Sequence, residues 1–381
     1  MAQKEEMNAD MMLKSTKVRD VSQSKRRLVE VPYTASIADT LNALLANNIL
    51  AVPVAAPPGQ WIGAGGSMIL ESDKLTGSVR KQYIGMVSML DILLHIAEFD
   101  AGTDVEANLM SAPVSSIIGH SLEGLSLWSI NPDTRVLDVM EPFSKGIHRA
   151  LVPLESHMDH VGLELKESSP GYWMLTQMDI VQFFKLHSSE LQSFTSSSVG
   201  QLGAVNKGAF AVPAGMQVTD VVKCMRNASL NAVAIVDALP DADESPMLMT
   251  SQGRRLVGTF SATDLRGCPP RMLQSWLSLP VLEFTEKLSK AEKFTHNSAT
   301  AAALTSVSPG SRPLVTCLVT SSLEEVISKA VDYHVHRVWV VDREGLLIGL
   351  VALTDILRAI HSKVVAHDAS DITGRLSSHH V

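Results

Sequence analysis

Four aspartates in this chain share one short pattern: an apolar strand, a hydroxyl or small residue, two further residues, then Asp and more apolar residues. It reads Gly85-Met-Val-Ser88-Met-Leu-Asp91-Ile-Leu, Tyr172-Trp-Met-Leu-Thr176-Gln-Met-Asp179-Ile-Val, Gly258-Thr-Phe-Ser261-Ala-Thr-Asp264-Leu and Gly349-Leu-Val-Ala352-Leu-Thr354-Asp355-Ile-Leu. A carboxylate at a strand-to-helix turn has two chemistries open to it. It can cap the helix, accepting backbone N–H bonds at the positive end of the dipole. It can also project into a cleft and accept from two adjacent hydroxyls such as a ribose diol, through charge-assisted bonds worth roughly 1.5–3 kcal/mol each.

A second pair of motifs favours the cleft. Ile147-His148-Arg149 and Val335-His336-Arg337 occupy equivalent places in the second and fourth copies, just before the strand that leads toward the Asp motif. A guanidinium presents a planar fork matched to phosphate oxygens, and a neighbouring imidazole adds a donor that strengthens on protonation. A diol acceptor in one copy and a phosphate fork in its neighbour describe a nucleotide. The competing reading is a solvated strand entrance. His157-Met-Asp-His160 has half the donors of a metal site and no further ligands nearby, and Gly253-Arg254-Arg255 reads as a charged turn before a strand. No Ser-His-Asp order, paired catalytic carboxylates or Walker loop stands in a convincing context, so the motifs bind without a nucleophile or general base.

The four aspartates lie 88, 85 and 91 residues apart, which makes the chain four copies of one unit. Val218, Val221, Val222 and Met225, and again Leu323, Val326, Ile327 and Ala330, follow the spacing of a buried helix face. Ser36, Asp133 and Ser321 or Ser322 are the expected caps of the helices that follow them. Apolar strands come next at 51–54, 150–154, 232–236 and 338–341. Each unit therefore reads β-α-β-β-α, an α/β (α+β) unit with its Asp motif at the last turn.

The expected division is a flexible extension over 1–27, unit one over 28–98 with a glycine- and proline-rich loop insertion at 55–82, and unit two over 125–187. A serine-rich linker at 188–206 separates these from unit three at 207–267, a connecting segment at 268–311, unit four at 312–362 and a polar tail at 363–381.

Forty acidic against 32 basic residues give a net charge of -8, which argues against an extended nucleic-acid surface. Cys224, Cys268 and Cys317 show neither metal spacing nor an even disulfide framework, so a reducing compartment, cytoplasmic or nuclear, is expected. The N-terminus is too polar for a signal peptide, and no apolar run reaches the roughly 20 residues of a membrane span.

These motifs resemble CBS motifs, the cystathionine beta-synthase type of regulatory unit. The likeness runs over about residues 28 to 362 and is fullest in unit four, where Val335-His-Arg-Val-Trp-Val-Val-Asp342, a Gly345 turn and Gly349-Leu-Val-Ala-Leu-Thr-Asp-Ile-Leu-Arg358 follow the pattern nearly throughout. Four copies with almost no other domain resemble the gamma subunit of AMP-activated and sucrose-non-fermenting-related kinases, in its plant branch. The resemblance implies two paired (Bateman) modules in a disc, with no catalytic residues and no required cofactor. It implies AMP, ADP or ATP as ligand, with Asp91, Asp179, Asp264 and Asp355 on ribose hydroxyls. His148, Arg149, His336 and Arg337 would face phosphates, and Ser88, Thr176, Ser261 and Thr354 would line the clefts. It also implies a kinase catalytic (alpha) chain and a beta scaffold as partners, with neither nucleic acid nor membrane. Units one and three carry Ile49-Leu50-Ala51 and Leu230-Asn231-Ala232 where units two and four carry the cations. The rival readings are a free-standing CBS sensor of another enzyme and a structural disc with empty clefts.

Overall fold

A computed structural model describes residues 2–21, 28–56, 83–98, 111–154, 171–237, 249–250, 253–268, 272–295 and 314–378. The insertion of unit one beyond residue 56 and the His157-Met-Asp-His160 segment lie outside the described residues.

The chain opens with α1 (Ala2–Ser15) and α2 (Val18–Val21). Unit one follows with β1 (Val31–Pro32), α3 (Ile37–Ala46), β2 (Ala51–Ala55), β3 (Tyr83–Ser88) and α4 (Met89–Ala97). Unit two contains α5 (Val136–Ser144), β4 (Arg149–Pro153), β5 (Tyr172–Thr176) and α6 (Gln177–Leu186), and α7 (Gln192–Thr195) leads out of it. Unit three has β6 (Phe210–Pro213), α8 (Val218–Asn227), β7 (Ala232–Val236), β8 (Met249–Thr250) and β9 (Leu256–Ser261), then α9 (Leu273–Leu277) and α10 (Val281–Thr295). Unit four has β10 (Thr316–Cys317), α11 (Leu323–Asp332), β11 (Arg337–Val341), β12 (Leu347–Ala352) and α12 (Leu353–Ser378).

In units one and four the first strand pairs parallel with the second, and the second antiparallel with the third, as a β-α-β-β path requires. Unit two keeps only a parallel bridge, Ser129 to Leu151, in place of its first strand. Unit three departs at its end: after Ser261 the chain makes a 3₁₀ turn over Ala262–Gly267 instead of the expected helix. In the sequence Pro269 and Pro270 come after Cys268, and proline cannot continue a helical ladder. The expected connecting segment supplies the missing helix, since α10 buries Val281, Phe284 and Leu288 and sets Phe284 edge-on to Phe260 at 5.7 Å.

The buried side chains sort into a ring. The sheet faces of units one and two meet through Tyr83, Met86, Leu127, Leu151 and Tyr172, and those of three and four through Ala211, Ala234, Trp339, Val341 and Leu347. The helices join the other way. One apolar core holds Ile92, Leu93 and Ile96 of unit one with Val218, Val221 and Val222 of unit three, while another holds Val136, Ile180 and Phe184 of unit two with Val326, Ile327 and Ile356 of unit four. Every unit thus buries its sheet on one neighbour and its helices on another, and the spatial order is one, two, four, three.

Several expectations are corrected. The N-terminal segment is not a loose extension: Ala9 and Leu13, one turn apart on α1, and Val18 are fully buried in the core of units two and four. The serine-rich linker contributes Leu191, Phe194 and Val199 to the same core. Within the expected polar tail, α12 runs on to Ser378. Ser36 and Ser322 cap α3 and α11, accepting from Asp39 N and Glu325 N. Asp133 does not cap α5, which has Arg135 at its cap; Lys17 and Arg19 hold the Asp133 carboxylate instead.

Candidate functional site

Three of the four Asp motifs, in units one, two and three, are built as capping boxes. Asp91 Oδ2 accepts from Ser88 N at 2.8 Å and Ser88 Oγ at 2.6 Å, while its Oδ1 accepts from Ser121 N at 2.6 Å. Asp179 Oδ2 accepts from Thr176 N at 2.7 Å and Oγ1 at 2.6 Å. Asp264 Oδ2 accepts from Ser261 N at 2.9 Å, and Ser261 Oγ accepts from Thr263 N. In unit four Ala352 has no hydroxyl, and Asp355 Oδ2 takes only the Ala352 N–H at 2.9 Å, with Arg358 Nη1 on Oδ1 at 2.7 Å.

Both oxygens of Asp91 and Asp355 are therefore engaged, and the residues are 0% and 4% exposed. Burial pushes both carboxyls above the usual carboxylate range, against the pull of their hydrogen bonds. Thr354 Oγ1 faces unit two, accepting from Gln177 Nε2 at 2.9 Å.

The His-Arg pairs do converge. His148, Arg149 and Ile147 line a cavity of ≈ 320 Å³ whose walls include Met86, Leu90 and Leu94 of unit one, Met225 and Asn231 of unit three, and Trp128. Arg337 of unit four reaches across to unit three and donates from Nη1 to Ala232 O at 3.0 Å, beside Asn231. Its guanidinium is so enclosed that burial lowers it to about 10, still a cation at neutral pH. His336 is an exposed residue, and the protein crowded around its imidazole, then Arg337, Arg149 and His148, hold it well below the ordinary histidine range. The four residues singled out from units two and four therefore share one electrostatic neighbourhood.

Sequence reasoning missed what balances them. Glu123, in a 3₁₀ turn over Leu122–Leu125, puts Oε1 2.8 Å from Arg149 Nη2 and 3.3 Å from His148 Nδ1. Burial alone would raise its carboxyl, but Arg149 and His148 overcome that and hold it at about 2. Glu123 lies between units, outside any repeated motif, so nothing in the periodicity marks it. None of the three cysteines is in a disulfide, and burial pushes Cys268 and Cys317 up to about 12 and about 11, away from the reactive thiolate. No helix among the described residues is long and apolar enough to cross a membrane.

The repeated β-α-β-β units with capped Asp turns define a CBS protein, and a model of the CBS domain matches residues 307–362. The fold is similar to the crystal structure of a Methanocaldococcus jannaschii protein proposed as an archaeal homologue of gamma-AMPK, with a TM-score of 0.57 at 14% identity over 90% of this chain and 99% of that one. Two Arabidopsis thaliana relatives are nearer in sequence. The SNF1-related protein kinase regulatory subunit gamma-like PV42b is 50% identical over 361 residues, 94% of this chain and 98% of its own length. Its counterpart PV42a is 51% identical over 350 residues, 90% of this chain and 94% of its own. The chain belongs to this family of gamma-like regulatory subunits, a non-catalytic class.

Proposed function

We propose that the chain acts as the gamma-type subunit of a heterotrimeric serine/threonine kinase complex in energy and carbon sensing, bound to a catalytic alpha chain and a beta scaffold in the cytoplasm or nucleus. The supporting observation is the near-full-length match to relatives named as kinase regulatory subunits. Co-purification of the tagged chain from plant extract tests it: recovery of both partner chains is the expected result, and recovery without any kinase chain overturns it.

In the same reading an adenine nucleotide enters the cavity at His148 and Arg149, with His336 and Arg337 adding to the field on its phosphates. The convergence of two guanidiniums and two imidazoles supports that ligand. A ligand so placed biases the complex by its differential affinity for two states. A second reading, a scaffold whose clefts stay empty, is favoured by Glu123, which already occupies the Arg149 and His148 donors. Calorimetric titration of AMP, ADP and ATP into the chain separates the two: micromolar binding lost in Arg149→Ala supports the sensor, and absent binding supports the scaffold.

A further inference from the structure

At the edge of that cavity stands a cluster that neither the Asp motifs nor the His-Arg pairs supply. His95 and Glu98 lie three residues apart at the end of α4 and so share one face of its last turn. His120 comes from the segment between units one and two, where Gly119 takes a φ of +89°, open to glycine and strained for other residues. The turn carries the chain back onto α4, and Asp91 Oδ1, one helical turn before His95, pins the next residue through Ser121 N.

The result is an N, N, O donor set. His120 Nε2 lies 3.5 Å from Glu98 Oε2, the two imidazoles meet edge to face at 5.5 Å, and one donor atom from each of the three residues lies within 4.8 Å of the others. Arg226 of unit three binds the other oxygen, Oε1, and so turns Oε2 toward His120, the outer-sphere support that ligating carboxylates usually have. Donors around one zinc ion stand about 3.3 Å apart when each bond is about 2.0–2.1 Å, so small side-chain rotations close the set.

We propose that His95, Glu98 and His120 form a site for a borderline divalent transition ion, Zn²⁺ in the first instance. Two imidazoles and a carboxylate suit such an ion, whereas magnesium and calcium require a shell of oxygens. Three protein ligands make an open site, and the position beside His120 and Arg226 faces the ≈ 320 Å³ cavity. Because Glu98 and its supporting Arg226 belong to units one and three, the ion fastens the helix interface between those units.

The test uses the full chain with His157, His160, His379 and His380 replaced by alanine, which removes histidines elsewhere that could take up metal. Zinc is titrated against a chromophoric chelator, and cobalt(II) is added separately for its d–d absorption. Expected are one ion per chain, tetrahedral cobalt bands, and affinity weakened more than about tenfold by His120→Ala or Glu98→Gln. The metal-free melting temperature of each variant establishes that it folds. Absence of cobalt bands in the parent chain, or zinc affinity unchanged by both substitutions, overturns the site.

Discussion

Glu123 Oε1 sits 2.8 Å from Nη2 of Arg149, so a carboxylate of the chain itself stands where an anionic ligand of that guanidinium would stand. His148 closes on the same oxygen at 3.3 Å. Any phosphate entering here displaces an internal anion, and affinity becomes a difference between two charge-assisted pairs rather than the value of one.

Removing that competitor raises affinity for anions. Glu123→Gln is expected to tighten nucleotide binding about tenfold, the equivalent of one charge-assisted bond at roughly 1.5 kcal/mol. Calorimetry with ATP measures it, and unchanged affinity sinks the competition. The same variant alters acid stability with a definite sign. The folded carboxyl at about 2 lies below its ordinary 4.5, so its contribution is full above pH 4.5 and disappears as pH falls toward 2. Urea midpoints between those limits drop less steeply in Glu123→Gln.

His336 gives an opposite response in binding and in folding. Its folded value of about 4 is below the ordinary 6.5, so stability is complete above pH 6.5 and is lost as pH falls toward 4, where protonation adds a charge beside Arg337, Arg149 and His148 and only Glu123 opposes it. A bound polyphosphate reverses that penalty, and nucleotide affinity should rise as pH falls through this window. His336→Gln flattens both profiles; equal slopes in the variant and the parent would rule the histidine out as their source.

The N-terminal helix belongs to the core. Leu13 is fully buried, and Leu13→Ala is expected to cost about 2–4 kcal/mol, read from the denaturant midpoint at constant slope. A loss below about 0.5 kcal/mol, ordinary for a surface change, would detach α1 from units two and four.

Two backbones pass too closely for side chains at Gly349. A Cβ there would lie 2.4 Å from Asn206 O, where the former linker bridges to Leu350. Gly349→Ala therefore pushes backbone against backbone and should destabilise the chain by about 1–3 kcal/mol, as overpacking does. Wild-type melting in this variant would remove the crossing.

The elements readable from sequence were those whose signal is local. Val218, Val221, Val222 and Met225 are all fully buried on α8, as their spacing requires, and the fourfold Asp pattern marks the strand-to-helix turns. The balance at those turns was not legible: a carboxylate three residues after a hydroxyl fits a cap and a diol acceptor equally well, and only the Ser121 N–H and Arg358 show both oxygens of Asp91 and Asp355 taken. Glu123 and α1 depend on partners distant in sequence. Leu13 reads as one leucine in a polar stretch until units two and four surround it, and Asp133 reads as a cap until Lys17 and Arg19 arrive.

The ring of alternating sheet and helix contacts also sets the order of events at the ribosome. Gln177 bonds Thr354 across a separation of 177 residues. At roughly 5–20 residues per second, the apolar helix faces of unit two wait on the order of 10–30 s for their covering partners to be synthesised. A nascent chain of this family thus carries a bare hydrophobic surface while the 177 residues from Gln177 to Thr354 are made.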